Sequence, residues 1–333
     1  MAKAKLFAEA LLVNGSAGDP VLYLDYPDRN DALLLDGGDN SALSLSQLAD
    51  LTAVFITHHH IDHFIGLDRI VRANMDRDKT LSLFGPPGTI AKVVDRIRSY
   101  EFQFFPFQKI VIDVCEIEEH LLRKGHLDCG RRFPPPQIEE FPRTGPVIFE
   151  NETVAVEACA ADHTVPCLSY AVVEKPGWFL DQRALESSLL KPGPWIGEIL
   201  ERLRRGDDLE SPVKIEDGTF PWQAIVQRLF RRSAGGRLAF ITDTAWSDVV
   251  RPQLLALAHR ATRLYCDAFY AQKHGDKARQ HRHMTAQQAG ELARLARVEE
   301  LVLMHFSQRY AGRFEPLLEE ARQEFPQVTA VLP

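Results

Sequence analysis

The stretch Ala53-Val54-Phe55-Ile56-Thr57-His58-His59-His60-Ile61-Asp62-His63 decides how the rest of the sequence is read. Its four leading apolar residues form a buried-strand pattern, and the polar cluster begins directly behind them. Alternate residues of an extended chain share a face, so His58 and His60 can point at one spot. Beyond the turn, Asp62 and His63 can point at a second spot close by. Imidazole nitrogen and carboxylate oxygen are the donors that zinc takes in open catalytic sites. A vector tag does not follow Val-Phe-Ile-Thr or carry Asp at this spacing.

Three more apolar runs end in the same way. Ala32-Leu33-Leu34-Leu35 precedes Asp36-Gly37-Gly38, Leu238-Ala239-Phe240-Ile241 precedes Thr242-Asp243, and Leu301-Val302-Leu303-Met304 precedes His305. Between such strands lie helical patterns. Thr285-Ala286-Gln287-Gln288 reads as a capping box, followed by Ala289, Leu292, Ala293 and Ala296 on one face. A second helix is predicted after Gly85-Pro86-Pro87-Gly88, carrying Ile90, Val93, Val94 and Ile97. Alternating strands and helices make the class α/β. Further ligands are expected at strand ends. The candidates are His163 in Asp162-His163-Thr164-Val165-Pro166, Asp243 and His305, which complete a seven-ligand dinuclear set.

Composition sets the frame. With 333 residues, 45% hydrophobic and 26% charged, the chain falls in the soluble globular class. No apolar run approaches the ~20 residues that a membrane span needs. Leu6–Val13 is interrupted by Glu9 and followed by Asn14-Gly15-Ser16-Ala17-Gly18-Asp19-Pro20, which argues against a signal peptide. Cys115, Cys129, Cys159, Cys167 and Cys266 show no C-x-x-C spacing, so neither a disulfide framework nor a thiolate zinc knuckle is expected. The expected compartment is the cytoplasm. A net charge of −7 excludes coating nucleic acid by bulk charge. RNA binding would have to come from local patches or metal ions.

Two segments read as insertions, about 117–146, with Pro134-Pro135-Pro136, and about 174–236, with Lys191-Pro192-Gly193-Pro194. The second holds two arginine clusters, Arg202/Arg204/Arg205 and Arg228/Arg231/Arg232. These are either phosphate contacts or a solvated helix face, because Glu198, Glu201, Asp207 and Asp208 interleave with them. Phe102, Phe104, Phe105 and Phe107 are read as a core strand or edge rather than a base-stacking platform. His120, His126 and Cys129 lack a fourth partner at zinc-site spacing. They are read as structural, as are His59, His259, His274 and His281.

His58-x-His60-x-Asp62-His63, with the later His163, Asp243 and His305, resembles the metallo-β-lactamase fold, a four-layered αββα sandwich. The resemblance narrows to ribonuclease Z, the tRNA 3′-processing endonuclease branch. It narrows on His163-Thr164-Val165-Pro166 with Tyr170, on His283-Met284-Thr285-Ala286, on His305-Phe306-Ser307-Gln308-Arg309-Tyr310, and on the second insertion, which looks like that family's flexible RNA-binding arm. The likeness runs from about Asp36 to near the C-terminus.

The resemblance implies one metallo-β-lactamase-like domain over 1–333 and two zinc ions per subunit, with manganese or iron as alternatives. His58, His60 and His163 would hold one ion, Asp62, His63 and His305 the other, and Asp243 would bridge them. The nucleophile would be water, deprotonated by Asp62, and His283, paired with Asp267, would protonate the leaving ribose oxygen. Gly193, Pro194, Arg202, Arg204, Arg205, Ser307 and Arg309 would contact substrate. The substrate would be precursor tRNA and the assembly a homodimer.

The chain also departs from the family pattern. Cys266-Asp267 stands where His-Glu is usual, Ala171 follows Tyr170 where arginine is common, and Ala245-Trp246 follows Asp243-Thr244 in place of Arg-Pro. The loop Asn14–Gly18 only loosely resembles Gly-Thr-Gly. A small-molecule phosphodiester or another hydrolysable substrate therefore stays open as the alternative. A non-catalytic RNA-binding scaffold is disfavoured because no ligand is missing, and a β-lactamase role because no leader is read.

Overall fold

The computed structural model describes residue 6 and residues 8–26, 31–101, 107–207, 212–215 and 218–332. Phe102, Phe104, Phe105 and Asp208 lie outside the described residues, and Phe107 is exposed.

Period-two alternation builds two sheets with apolar residues on both faces. Along Asp31–Leu35, Leu33 and Leu35 join the central core while Ala32 and Leu34 join an outer one. Along Arg237–Ile241, Leu238 and Phe240 face the centre while Ala239 and Ile241 face outward. Strands buried on both faces read as continuous apolar runs, the pattern of parallel sheets covered on each side.

The first sheet has eight strands in sequence order, Glu9–Leu12, Leu22–Tyr26, Asp31–Leu35, Leu51–Phe55, Thr80–Gly85, Val111–Ile117, Leu121–Asp128 and Ile138–Pro142. The four from Asp31–Leu35 to Val111–Ile117 are parallel. The second sheet runs Val328–Thr329, Leu301–Met304, Arg263–Asp267, Arg237–Ile241, Cys167–Glu174, Val154–Ala161, Val147–Glu150, and its first four are parallel. The inner faces meet through Leu33, Phe55 and Cys115 on one side and Val156, Tyr170, Phe240 and Met304 on the other. Helices Leu67–Asn74 and Thr89–Arg98 cover the first sheet; Arg251–Ala258, Ala286–Ala296 and Glu315–Glu324 cover the second. The result is a four-layered αββα sandwich.

Both expected helices form. Thr89–Arg98 buries Ile90, Val93 and Ile97, with Val94 half-buried, and starts behind Gly88, whose φ of 94° is a left-handed cap that favours glycine. Thr285 caps Ala286–Ala296 reciprocally, its hydroxyl accepting from Gln288 N at 3.2 Å while Gln288 Oε1 accepts from Thr285 N at 3.0 Å.

The segment 117–146 is largely sheet edge. Leu121–Asp128 and Ile138–Pro142 continue the first sheet antiparallel, and the last strand is exposed at every position. Its Glu139, Glu140 and Pro142 suit an edge that must not pair further, and the same residues hid the strand in the sequence.

The second excursion leaves after Glu174 and returns at Arg237, with Glu174 N donating to Gly236 O at 2.8 Å. Among the described residues its strands pair with each other, Gly177–Leu180 with Phe230–Ser233 and Pro212–Ile215 with Gly218–Pro221. Ile199, Leu200, Trp222, Ile225 and Leu229 give it a core of its own. All five cysteines are free thiols. Among the described residues, no helix is long and apolar enough to cross a membrane.

Candidate metal centre

The parallel strands of both sheets release their polar residues at one end of the sandwich. Leu51–Phe55 delivers Thr57 and His58, His60 caps the short helix Ile61–Phe64, and that helix carries Asp62 and His63. His163 sits in the turn between Val154–Ala161 and Cys167–Glu174; Asp243 follows Arg237–Ile241, and His305 follows Leu301–Met304. Asp243 and His305 adopt φ of 47° and 58°, and Asp36, at the end of Asp31–Leu35, φ of 60°. Side chains other than glycine in this region cost about 1–3 kcal/mol each, and such strain gathers where it aims functional groups.

The structure brings all seven candidate ligands together. Donor atoms of His58, His60, His163 and Asp243 form one cluster within 4.8 Å, and those of Asp62, His63 and His305 form another. Asp243 lies between them. Its Oδ2 is 3.6 Å from His58 Nε2, 3.5 Å from His63 Nε2 and 3.7 Å from His163 Nε2, and its Oδ1 is 2.9 Å from His305 Nδ1. His60 Nδ1 is 3.4 Å from His163 Nε2, and Asp62 Oδ2 is 3.5 Å from His63 Nε2 and 3.3 Å from His305 Nε2.

These separations fit metal coordination. Four tetrahedral ligands at ~2.0–2.1 Å from zinc sit about 3.3–3.4 Å from one another, close to most of these spacings. His58 Nε2 and His63 Nε2 are sealed from solvent and make no hydrogen bond, a cost that a shared cation would relieve. The opposite ring nitrogens are held from behind, His58 Nδ1 by Thr57 Oγ1 at 3.1 Å, His63 Nδ1 by Asp36 Oδ2 at 2.7 Å and His163 Nδ1 by the Arg282 carbonyl at 3.1 Å. Such partners fix imidazoles for metal binding.

Burial and the neighbouring charges pull the histidines of the cluster in opposite directions. Burial holds His58 down at about 2, reinforced by the charge of His63. Burial also opposes charge on His63, but Asp243 and Asp36 outweigh it and lift His63 to about 10. His305 is raised well above the usual histidine range by Asp243 and Asp62, again against burial. Burial pushes Asp62 up, yet the hydrogen bond to His305 and the charge of His63 bring it down to about 2.

His283 lies beside this centre, its ring 5.3 Å from that of His163 and 5.5 Å from that of His305, and stacked on Phe269 at 4.3 Å. Its Nδ1 meets Asp267 Oδ2 at 2.9 Å, so aspartate at this position reaches the imidazole despite being one methylene shorter than glutamate. Burial opposes a charged His283, but Asp267 outweighs it and raises the pKa. Asp267 and His283 also fall in a cluster with Asp243 and His305. Asp267 is nevertheless occupied, its Oδ1 accepting from Phe269 N at 2.9 Å and its Oδ2 also from Met284 N at 3.2 Å, which suits it to positioning rather than ligation.

The proposed substrate contacts are dispersed. Gly193 and Pro194 open the arm helix Trp195–Arg205. Arg202 pairs with Glu198 at 2.7 Å, Arg205 with Glu201, and Arg204 lies 3.6 Å from Glu152 of the body. Ser307, buried, begins the turn behind His305, and exposed Arg309 lies over the Tyr270 ring at 5.0 Å. Tyr170 is structural, its hydroxyl donating to Ile56 O at 2.6 Å.

Sequence reasoning missed two residues. Asp36, fully buried, accepts from Thr57 N at 2.7 Å as well as holding His63. Its one signal was a carboxylate ending a strand pattern. Arg282 donates to the His163 carbonyl at 2.7 Å and to Asp162 Oδ1 at 3.0 Å, fixing the His163 turn. Only its place beside His283 hinted at this.

The family described as the beta-lactamase superfamily domain matches residues 27–122. A ribonuclease Z from Deinococcus radiodurans is 30% identical over 299 residues, covering 88% of each chain. The chain belongs to the ribonuclease Z family. A ribonuclease BN from an Enterobacter species is also 30% identical, over 96% of each chain. Among solved structures, human tRNase Z, short form, aligns with a TM-score of 0.51 at 19% identity, covering 91% of this chain and 92% of that one. The metallo-beta-lactamase fold protein YhfI of Bacillus subtilis aligns with a TM-score of 0.55 at 14% identity, over 96% and 95%. The sandwich is thus the metallo-β-lactamase fold.

Proposed function

We propose that this member of the ribonuclease Z family is a metal-dependent endoribonuclease that removes 3′ trailers from precursor tRNA, with water as the nucleophile. The observation that carries the reading is the joining of seven donors from both sheets around Asp243, with the Asp267–His283 pair beside them. Relatives named ribonuclease Z and tRNase Z support the substrate.

His58, His60 and His163 would hold one ion, Asp62, His63 and His305 the second, with Asp243 shared. Two divalent ions, zinc by the donor set and manganese or iron as alternatives, would polarise the phosphoryl oxygen and lower the pKa of a water toward ~7. Asp62, with its carboxylate partly exposed at the rim, orients the attacking water and accepts its proton. Asp267 keeps His283 protonated and fixes its ring, and His283 gives its proton to the departing 3′-oxygen. The mature RNA leaves with a 3′-hydroxyl, and the phosphate stays on the trailer.

The arm is proposed to dock RNA away from the centre, in a homodimer where one subunit's arm serves the other's site. A small phosphodiester substrate is the second reading, favoured by the arm arginines Arg202, Arg204 and Arg205 each facing a carboxylate. The test of the chemistry is metal analysis of the purified protein with hydrolysis of bis(p-nitrophenyl) phosphate before and after chelation. About two ions per chain, with activity lost on chelation and restored by zinc or manganese, is expected. Metal-free protein with undiminished activity would overturn the mechanism.

A further inference from the structure

Next to His283 a cavity of about 330 Å³ opens between the loop 245–248, the start of helix Arg251–Ala258 and the helix Gly275–His281. Its size falls at the lower end of small-ligand clefts, roughly 300–1,000 Å³. It admits one nucleotide unit and not a duplex. Two polar atoms of residues that line it, Ser247 Oγ and Arg251 Nε, are buried and make no hydrogen bond. Unmade bonds of this kind cost about 1–3 kcal/mol each, and because both atoms are closed off from the cavity as well, a ligand there completes them only when the Ser247 and Arg251 side chains turn toward it.

The cavity is also cationic. The Arg251 guanidinium is held over the Trp246 ring at 4.8 Å, and its carboxylate partner among the described residues, Asp248 at 3.2 Å, is 93% exposed. Arg279 lines the same cavity, with fully exposed Asp276 at 3.9 Å. Solvent-exposed pairs of this sort are worth little and give way to a phosphate, which guanidinium binds bidentately. Trp246 is meanwhile fixed from behind, its Nε1 donating to Glu291 Oε2 at 2.9 Å, so the platform under Arg251 is rigid.

His283 forms part of the cavity wall while its ring lies against those of His163 and His305. We propose that this cavity takes the nucleotide that carries the departing 3′-oxygen. Arg251 and Arg279 bind its 5′-phosphate and Ser247 bonds its ribose. The inference rests on the reading of the substrate as RNA and adds where the last retained nucleotide sits.

Two substrates and one inhibitor test it. Precursor tRNA fills the cavity, whereas bis(p-nitrophenyl) phosphate brings no nucleotide to it. Arg251→Met is expected to lower kcat/KM for precursor tRNA at least tenfold more than for the chromogenic diester, mainly through KM, and Arg251→Lys to recover part of the loss. Arg279→Met, on an exposed side chain of a short helix, provides a second variant with little consequence for folding. Adenosine 5′-monophosphate should inhibit the wild type, with an inhibition constant about tenfold higher in each methionine variant. Equal losses on both substrates, or equal inhibition of wild type and variants, would overturn the proposal. A wild type that hydrolyses the diester and spares precursor tRNA would contradict the RNA reading instead, with the inhibition arm still deciding the cavity.

Discussion

Asp62 and Asp36 separate chemistry from support. Asp62 is the one ligand candidate with an appreciably exposed carboxylate, at 36%, so it can meet both cation and water. Asp62→Ala is expected to lower kcat by roughly 10²–10⁴, with circular dichroism and thermal unfolding close to wild type; near-normal turnover would remove Asp62 from the mechanism. Asp36 is not among the clustered donors and acts through His63. Asp36→Asn should therefore weaken metal affinity roughly 10–100-fold, read by competition with a chromogenic chelator, and unchanged affinity would contradict that role. These two residues also show what the sequence reveals. His58, His60, Asp62 and His63 are legible because four donors crowd into six positions after one strand. Asp36 was not, because its partners Thr57 and His63 lie 21 and 27 positions away and become neighbours only through parallel pairing of Asp31–Leu35 with Leu51–Phe55.

At the scale of elements, the capping box at Thr285 and the strand ends were legible because each signal is local. The antiparallel strands Leu121–Asp128 and Ile138–Pro142 that close the first sheet were not, since they are largely open to solvent and charges replace the apolar alternation. The arm is an element that can be removed cleanly. Its core is self-contained, and its ends at Glu174 and Gly236 are bonded to each other. Replacing Lys175–Gly235 by a short glycine-serine linker is expected to leave a folded body that still hydrolyses bis(p-nitrophenyl) phosphate. Cleavage of precursor tRNA should fall at least tenfold. Undiminished RNA cleavage would show that the arm does not dock substrate.

For the molecule as a whole, the candidate centre is a clasp between the sheets. His58, His60, Asp62 and His63 come from the first sheet, and His163, Asp243 and His305 from the second. Metal that binds the folded chain stabilises it by mass action, about 4 kcal/mol at a thousandfold excess over Kd. Chelation should lower Tm by several degrees, and an unchanged Tm would contradict metal binding across the sheets. The most direct test of the central claim is incubation of metal-loaded protein with a 3′-extended precursor tRNA, mapping the product ends, with Asp62→Ala as control. Metal-dependent cleavage beside the discriminator nucleotide, absent from the variant, is the expected result. No RNA cleavage alongside metal-dependent hydrolysis of bis(p-nitrophenyl) phosphate would contradict it and assign the centre to a small phosphodiester.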